Sequence, residues 1–150
     1  MKVKVVLDEG ALMPTRAHEL DAGYDLYARS KIVIPPTIAN LYHTDAQVIG
    51  YRTHDTGVHI QIPEGYVGFI KAKSGLNVKH GLTCTGVIDS GYTGSICVKL
   101  YNNHNRPHII MAGEKIAQLV LLPIITPELE QVDSLEETER GNNGFGSTGK

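Results

Sequence analysis

Glycine and proline break this chain at short intervals: sixteen glycines and seven prolines are spread over 150 residues. Most of what lies between them is too short for a long helix. It is also rich in β-branched residues, which suit a pleated surface. Val3 to Leu7 and Lys31 to Ile34 read as strands, the second stopped by Pro35-Pro36. Val58 to Ile62 alternates apolar and polar with period two, as a half-buried strand does. Pro63-Glu64-Gly65 then predicts a turn, with Tyr66 to Lys71 returning as the second arm of a hairpin. Ile96 to Tyr101, His108 to Met111 and Lys115 to Leu122 complete the set. One stretch, Ser74 to Gly81, reads as a helix of about two turns, opening on a cap-type residue and closing on glycine. Many short strands with one short helix predict an all-β sandwich or barrel of jelly-roll type.

The chain is long enough for one domain with its own core. Hydrophobic residues make up 41% and charged residues 20%, and the net charge is -2. That balance implies no broad basic surface and argues against bulk nucleic-acid binding. A small anion needs only a few local cations. The two cysteines, Cys84 and Cys97, are too few for a disulfide scaffold and have no C-x-x-C spacing, so they read as reduced, mostly buried thiols of a cytoplasmic protein. The opening residues lack the apolar core of a signal peptide. No apolar run approaches the roughly 20 residues that span a membrane.

Four segments can carry chemistry. Lys71-Ala72-Lys73-Ser74-Gly75-Leu76 places cations, a hydroxyl and a glycine at a helix start, where phosphate can bind; it also reads as a solvated turn. In Gly86-Val87-Ile88-Asp89-Ser90-Gly91-Tyr92-Thr93-Gly94, an apolar strand runs into one carboxylate and a glycine-rich turn. An Asp following buried residues can be held rigid and away from bulk water, as a general base requires, or can close a β-turn. Asp21 and Asp25 flank Ala22-Gly23-Tyr24; either can face a metal-bound water or belong to a strand-edge turn. The end of the chain, from Arg140 to Lys150, holds four glycines and one large apolar residue, Phe145. It cannot build a core, and it reads as a flexible terminus or as a lid that stacks on a base and grips phosphate. His104 and His108 flank Pro107 without a second ligand pair, so zinc is not expected. There is no Ser-His-Asp pattern and no Walker loop. A metal here would be Mg²⁺, held mainly by substrate phosphates and water.

The order of these segments is more specific than any one of them. They read A-G-Y-D-L-Y-A (22–28), K-S-G-L-N-V-K-H-G (73–81), G-V-I-D-S-G-Y-T-G (86–94), G-E-K-I-A-Q-L (113–119) and R-G-N-N-G-F-G-S-T-G (140–149). This resembles the five-motif pattern of the trimeric dUTPase family over nearly the whole chain. The resemblance implies a jelly-roll domain over 1–135 and a flexible, glycine-rich C-terminal arm over 136–150. It implies a homotrimer in which the arm of one subunit closes a site formed by the other two. The reaction implied is Mg²⁺-dependent hydrolysis of dUTP to dUMP and pyrophosphate. This would limit uracil incorporation into DNA and supply dUMP for dTMP synthesis.

Carried over residue by residue, Asp89 resembles the base that activates water against the α-phosphorus. Tyr92 would lie under the deoxyribose and leave no room for a 2′-hydroxyl. Backbone groups at Gly86 and Val87 would read uracil. Lys73, Ser74, Gly75 and Gln118 resemble phosphate contacts, and Asp25 would reach Mg²⁺ through water. Arg140, Gly146, Ser147 and Thr148 would grip the γ-phosphate end, with Phe145 stacked on the base. The chain departs from the pattern in several places. Lys73 stands where the family usually has Arg, keeping charge but losing the bidentate fork. Gly91 replaces a common acidic residue, and Thr93 a frequent basic one. The link from Leu41 to Asp55 is long, with Asn40-Leu41-Tyr42 and Val48-Ile49-Gly50-Tyr51 able to form an extra hairpin. The competing readings are a dCTP deaminase, which shares the fold but uses a glutamate near the pyrimidine, and a nucleotide-binding regulator without important turnover.

Overall fold

The computed structural model describes residues 2–39 and 47–142. Twelve strands and one helix follow in order: β1 Lys4–Leu7, β2 Gly23–Tyr27, β3 Ile32–Ile34, β4 Ile38–Ala39, β5 Gln47–Val48, β6 Gly50–Gln61, β7 Tyr66–Lys71, α1 Ser74–His80, β8 Leu82–Thr83, β9 Thr85–Ile88, β10 Ser95–Asn102, β11 His108–Ile110 and β12 Lys115–Pro123. Two four-stranded sheets carry the fold, in the orders β1-β6-β10-β8 and β2-β12-β7-β9, with a smaller pair β11-β3. The recorded strand pairs are antiparallel. This is the all-β architecture with one short helix that the punctuation predicts.

Alternation fixes which face is buried. In β10, Ile96, Val98 and Leu100 point inward and are at most 1% exposed. They meet Leu26, Ile70, Ile116 and Leu119 of the other sheet in one apolar cluster. The same period places Cys97 outward, so only Cys84 is a buried thiol; both are free. Burial pushes the Cys84 thiol up to about 11, keeping it protonated at neutral pH. In β12, strict alternation fails because a bulge lies between Lys115 and Ala117. There, Ile116 and Ala117 are both buried. The bulge also re-aims Lys115, a use that bulges near sites often serve.

The expected hairpin from Val58–Ile62 to Tyr66–Lys71 does not form. Strand β6 pairs with β1 and β10, whereas β7 pairs with β12 and β9. The turn at Pro63–Gly65, closed by the Tyr66 amide donating to the Pro63 carbonyl at 3.2 Å, carries the chain from one sheet to the other. Ile60, Ile62, Val67 and Ile70 are all buried. The two arms thus oppose their apolar faces across the core instead of lying side by side. The proposed extra hairpin is also redrawn. Ile38 pairs with Val48 and Ala39 with Gln47, while Gly50 and Tyr51 already belong to the 12-residue strand β6. Asn40, Leu41 and Tyr42 lie outside the described residues.

Helix α1 forms where expected, with one change at its start. Ser74 is the first helical residue; extended Lys73 is the cap and makes no side-chain capping bond. Gly81 ends the helix in the left-handed conformation, φ 59°, and its amide reaches back to the Asn77 and Leu76 carbonyls. Among the described residues no helix is long and apolar enough to cross a membrane.

Candidate active site

Three adjacent strands of one sheet bring distant segments together. Gln118 on β12 lies opposite Asp25 on β2 and opposite Lys71 on β7. Ala72, Lys73 and Ser74 continue off the end of β7 into α1. Gln118 Nε2 donates to the Ala72 carbonyl at 3.3 Å, tying the strand to the helix entrance. Asp25, Lys73, Ser74, Gly75 and Gln118 therefore share one end of the sheet.

Asp25 is the charged centre of that end and is 4% exposed. Lys73 Nζ donates to its Oδ1, and Lys115 Nζ lies 2.7 Å from its Oδ2. Its amide donates to the Thr15 carbonyl at 2.6 Å. Burial is the largest single influence on the carboxyl and raises its pKa. The hydrogen bonds and charges of Lys115 and Lys73 together outweigh it and hold the pKa below the usual value. Lys115 is raised in turn, chiefly by its hydrogen bond to Asp25. Sequence reasoning did not single out Lys115 as a site residue. Its place three residues before Gln118 was the available signal, and the bulge completes it.

The other half of the site lies elsewhere on the same sheet. Gly86 and Val87 sit in β9, opposite Ile70 and Phe69. Strand β9 is the last of its sheet, so its outer backbone edge offers N–H and C=O groups to a ligand. Asp89 follows it. The expected run of buried residues before this aspartate is absent: Val87 is 59% exposed and Asp89 itself is exposed. The loop beyond is nonetheless ordered. The Tyr92 amide donates to the Asp89 carbonyl at 3.1 Å, and Tyr92 Oη donates to the Ser95 carbonyl at 2.9 Å. Gly94 lies under the tyrosine ring; a Cβ there would be 2.5 Å from Tyr92 Oη.

Among the described residues the two halves stay apart. Thr85 pairs with Lys71, and β9 then runs antiparallel to β7. Asp89 is four residues beyond Thr85, about 13 Å along the strand at ~3.3 Å per residue. Lys73 and Ser74 leave β7 in the opposite direction. Arg140 is described and lies in an exposed stretch after β12. Phe145, Gly146, Ser147 and Thr148 lie outside the described residues.

The donor set speaks to metal as well. No group of three or more His, Cys, Asp or Glu able to hold an ion occurs among the described residues. The fold does place His80 against His108, with ring centroids 4.7 Å apart, at a cleft that His104 also lines. The Asp25 carboxylate is a hard oxygen donor suited to Mg²⁺ through water, alongside ligands supplied by a substrate.

The dUTPase family model matches residues 9–149. Deoxyuridine 5'-triphosphate nucleotidohydrolase of Clostridium novyi is 41% identical over 145 residues, covering 95% of this chain and 94% of its relative. That of Yarrowia lipolytica is 43% identical over 153 residues, covering 99% and 90%. Among solved structures, a variant of the dUTPase of Staphylococcus bacteriophage 80alpha with dUpNHpp superposes with a TM-score of 0.85. It is 34% identical, with 99% of each chain covered. A dUTPase variant from phage phi11 of S. aureus, whose structure describes coordination of a structural Mg(II) ion, gives 0.77 at 32% identity. That match covers 91% of this chain and all of the other.

Proposed function

This chain belongs to the dUTPase family, and from that membership we propose that it hydrolyses dUTP to dUMP and pyrophosphate, with Mg²⁺, in an active site assembled from more than one subunit. The carrying observation is the family match over residues 9–149, which spans all five quoted segments. The geometry supports it in two ways. Cations, a hydroxyl, an amide and one carboxylate gather at the helix entrance, as a triphosphate requires. Among the described residues, the exposed loop at Asp89 lies away from the phosphate-binding candidates of its own chain.

In this reading Asp89 of one subunit accepts a proton from the water that attacks the α-phosphorus, and pyrophosphate leaves. Exposure of Asp89 in the single chain is what a shared site requires, because a neighbour must supply the cover. Tyr92, held by Ser95 and by the flat face at Gly94, would lie under the deoxyribose and exclude a 2′-hydroxyl. The open edge of β9 at Gly86 and Val87 would read the uracil. Ser74, Gly75 and Gln118 would bind phosphate. Lys73 and Lys115, paired with the single carboxylate of Asp25 in a cluster of net charge +1, would turn toward the triphosphate as it arrives. This would free Asp25 oxygens for water on the metal. Bound Mg²⁺ would supply charge neutralisation and in-line orientation of the triphosphate. The arm over 136–150 would close the site, with Arg140, Gly146, Ser147 and Thr148 at the terminal phosphate and Phe145 over the base. A homotrimer of this kind is a closed, normal assembly. The cellular role would be to limit uracil in DNA and to supply dUMP, in the cytoplasm.

The test is to incubate the protein with Mg²⁺ and dUTP, UTP, dCTP or dTTP, following pyrophosphate and ammonia. Pyrophosphate from dUTP, with little from the others, is expected. Ammonia from dCTP would instead favour a deaminase, and tight dUTP binding without turnover a regulator.

A further inference from the structure

A histidine outside the five motifs holds the loop that carries Asp89 and Tyr92. His59 lies on β6, opposite Ser95 in the sheet register. Its Nδ1 is 2.9 Å from the Thr93 carbonyl oxygen, and its Nε2 is 3.2 Å from Asp8 Oδ1. A carbonyl can only accept a hydrogen bond, and so can an ionised carboxylate. Neutral imidazole carries one N–H and can satisfy only one of them. Both contacts together require the imidazolium form.

The surroundings favour that charge. Asp8 follows β1, and Asp55 lies on β6 facing the same group. Arg29 Nη1 sits 3.3 Å from Asp8 Oδ2 and 4.0 Å from Asp55 Oδ2, so the acids share one cation besides His59. Lys4 lines the groove in which His59 and Thr93 meet. The hydrogen bond to Thr93 is the largest influence and raises His59 above its ordinary pKa; Asp8 adds to it. The grip on the loop is double, since Asp55 Oδ1 also bonds the Ser95 hydroxyl. Ser95 in turn receives the Tyr92 hydroxyl through its carbonyl.

We propose that His59, as an imidazolium bridging Asp8 and the Thr93 carbonyl, is a positioning residue for the Asp89–Ser95 loop and makes its order depend on pH. Below the ordinary histidine range both bonds are present. As pH rises through the elevated pKa of His59 one N–H is lost, either Thr93 or Asp8 loses its donor, and the loop loosens. Turnover then falls while binding of the nucleotide at the helix entrance persists. The part concerning turnover rests on the role proposed for Asp89 and Tyr92.

The test joins spectroscopy to kinetics. Nitrogen-15 NMR of the histidine side chains gives the pKa of His59, assigned by its absence in His59→Gln. The pKa should lie above the ordinary 6.5, both ring nitrogens should be protonated below it, and the Thr93 to Ser95 amide signals should titrate with it. The alkaline limb of kcat should follow the same pKa. Asp8→Asn should move both to lower pH together. His59→Gln keeps one donor for Thr93 and should lose the limb, with kcat about tenfold lower, a small positional error by the standard of misplaced catalytic groups. Its KM should be little changed. A pKa at or below 6.5, or an alkaline limb that persists in His59→Gln or stays in place in Asp8→Asn, overturns the proposal. Absence of turnover in every protein, including the unaltered one, would count against the hydrolase reading, while the NMR titration would still decide the clamp.

Discussion

Asp89 follows the end of β9 and Asp25 lies in the middle of β2, and their surroundings suit them to opposite tasks in the proposed reading. Asp89 is exposed and follows an edge strand, available to a water and to a neighbouring chain. Asp89→Asn keeps its shape but cannot take a proton, so kcat should fall by about 10²–10⁴-fold while dUTP binding, read by calorimetry, survives. Near-normal turnover in the folded variant would remove Asp89 from that role. Asp25 is buried between two ammonium groups. Its depressed pKa means that its contribution to stability is full above the unfolded value of 3.8 and is lost as pH falls through the lower folded value. Asp25→Asn should therefore lower the Tm at neutral pH, and the difference from the unaltered protein should shrink in acid as the carboxyl protonates. A difference that persists unchanged below the folded pKa would contradict the ion-pair account. At this scale the sequence named Asp25, Lys73 and Gln118. Lys115 and His59 were not legible as site residues, because a bulge and a cross-sheet register bring them into place, and neither leaves a local pattern.

The elements were mostly readable, since alternation with period two and glycine at the helix end are local properties. What failed was pairing. Val58–Ile62 and Tyr66–Lys71 satisfy the local rule for a hairpin, but burial of Ile60, Ile62, Val67 and Ile70 against a common core sends them to different sheets. Cys97 was expected to be buried but points outward on a central strand; Asp89, read either as held away from water or as closing a β-turn, is exposed, and its carbonyl accepts from the Tyr92 amide. Partner strands, which decide both, are not written in the segment itself. In the proposed reading the loop from Asp89 to Ser95 carries both the base and the sugar guard. Gly94→Ala places a methyl group 2.5 Å from Tyr92 Oη, so the partly exposed ring must shift and its hydrogen bond to the Ser95 carbonyl is disturbed. The ring lies at the surface, so the stability cost should stay near that of one lost hydrogen bond, about 0.5–1.5 kcal/mol. Discrimination of dUTP over UTP should weaken, measured as the ratio of their kcat/KM values. An unchanged ratio would mean that Tyr92 does not guard the sugar.

At the scale of the molecule, two half-sites lie in opposite directions along one sheet, and the segment after β12 runs exposed, with Ile125 89% and Leu129 96% accessible. Such residues are available for contact with another chain. Light scattering should give the mass of a trimer at micromolar concentration, and an active monomer would refute sharing. The sequence pointed to this assembly only through resemblance; no residue pattern in a single chain states that its base belongs to a neighbour's phosphate site. The most direct measurement mixes two inactive proteins. One carries Asp89→Asn, the other Ser74→Ala with Gln118→Ala, and they are refolded together, with mixed trimers isolated by two affinity tags. If base and phosphate contacts come from different chains, some sites in each mixed trimer are intact and dUTP hydrolysis should return to a sizeable fraction of the unaltered rate. Verified mixed trimers no more active than their parents would contradict the shared site.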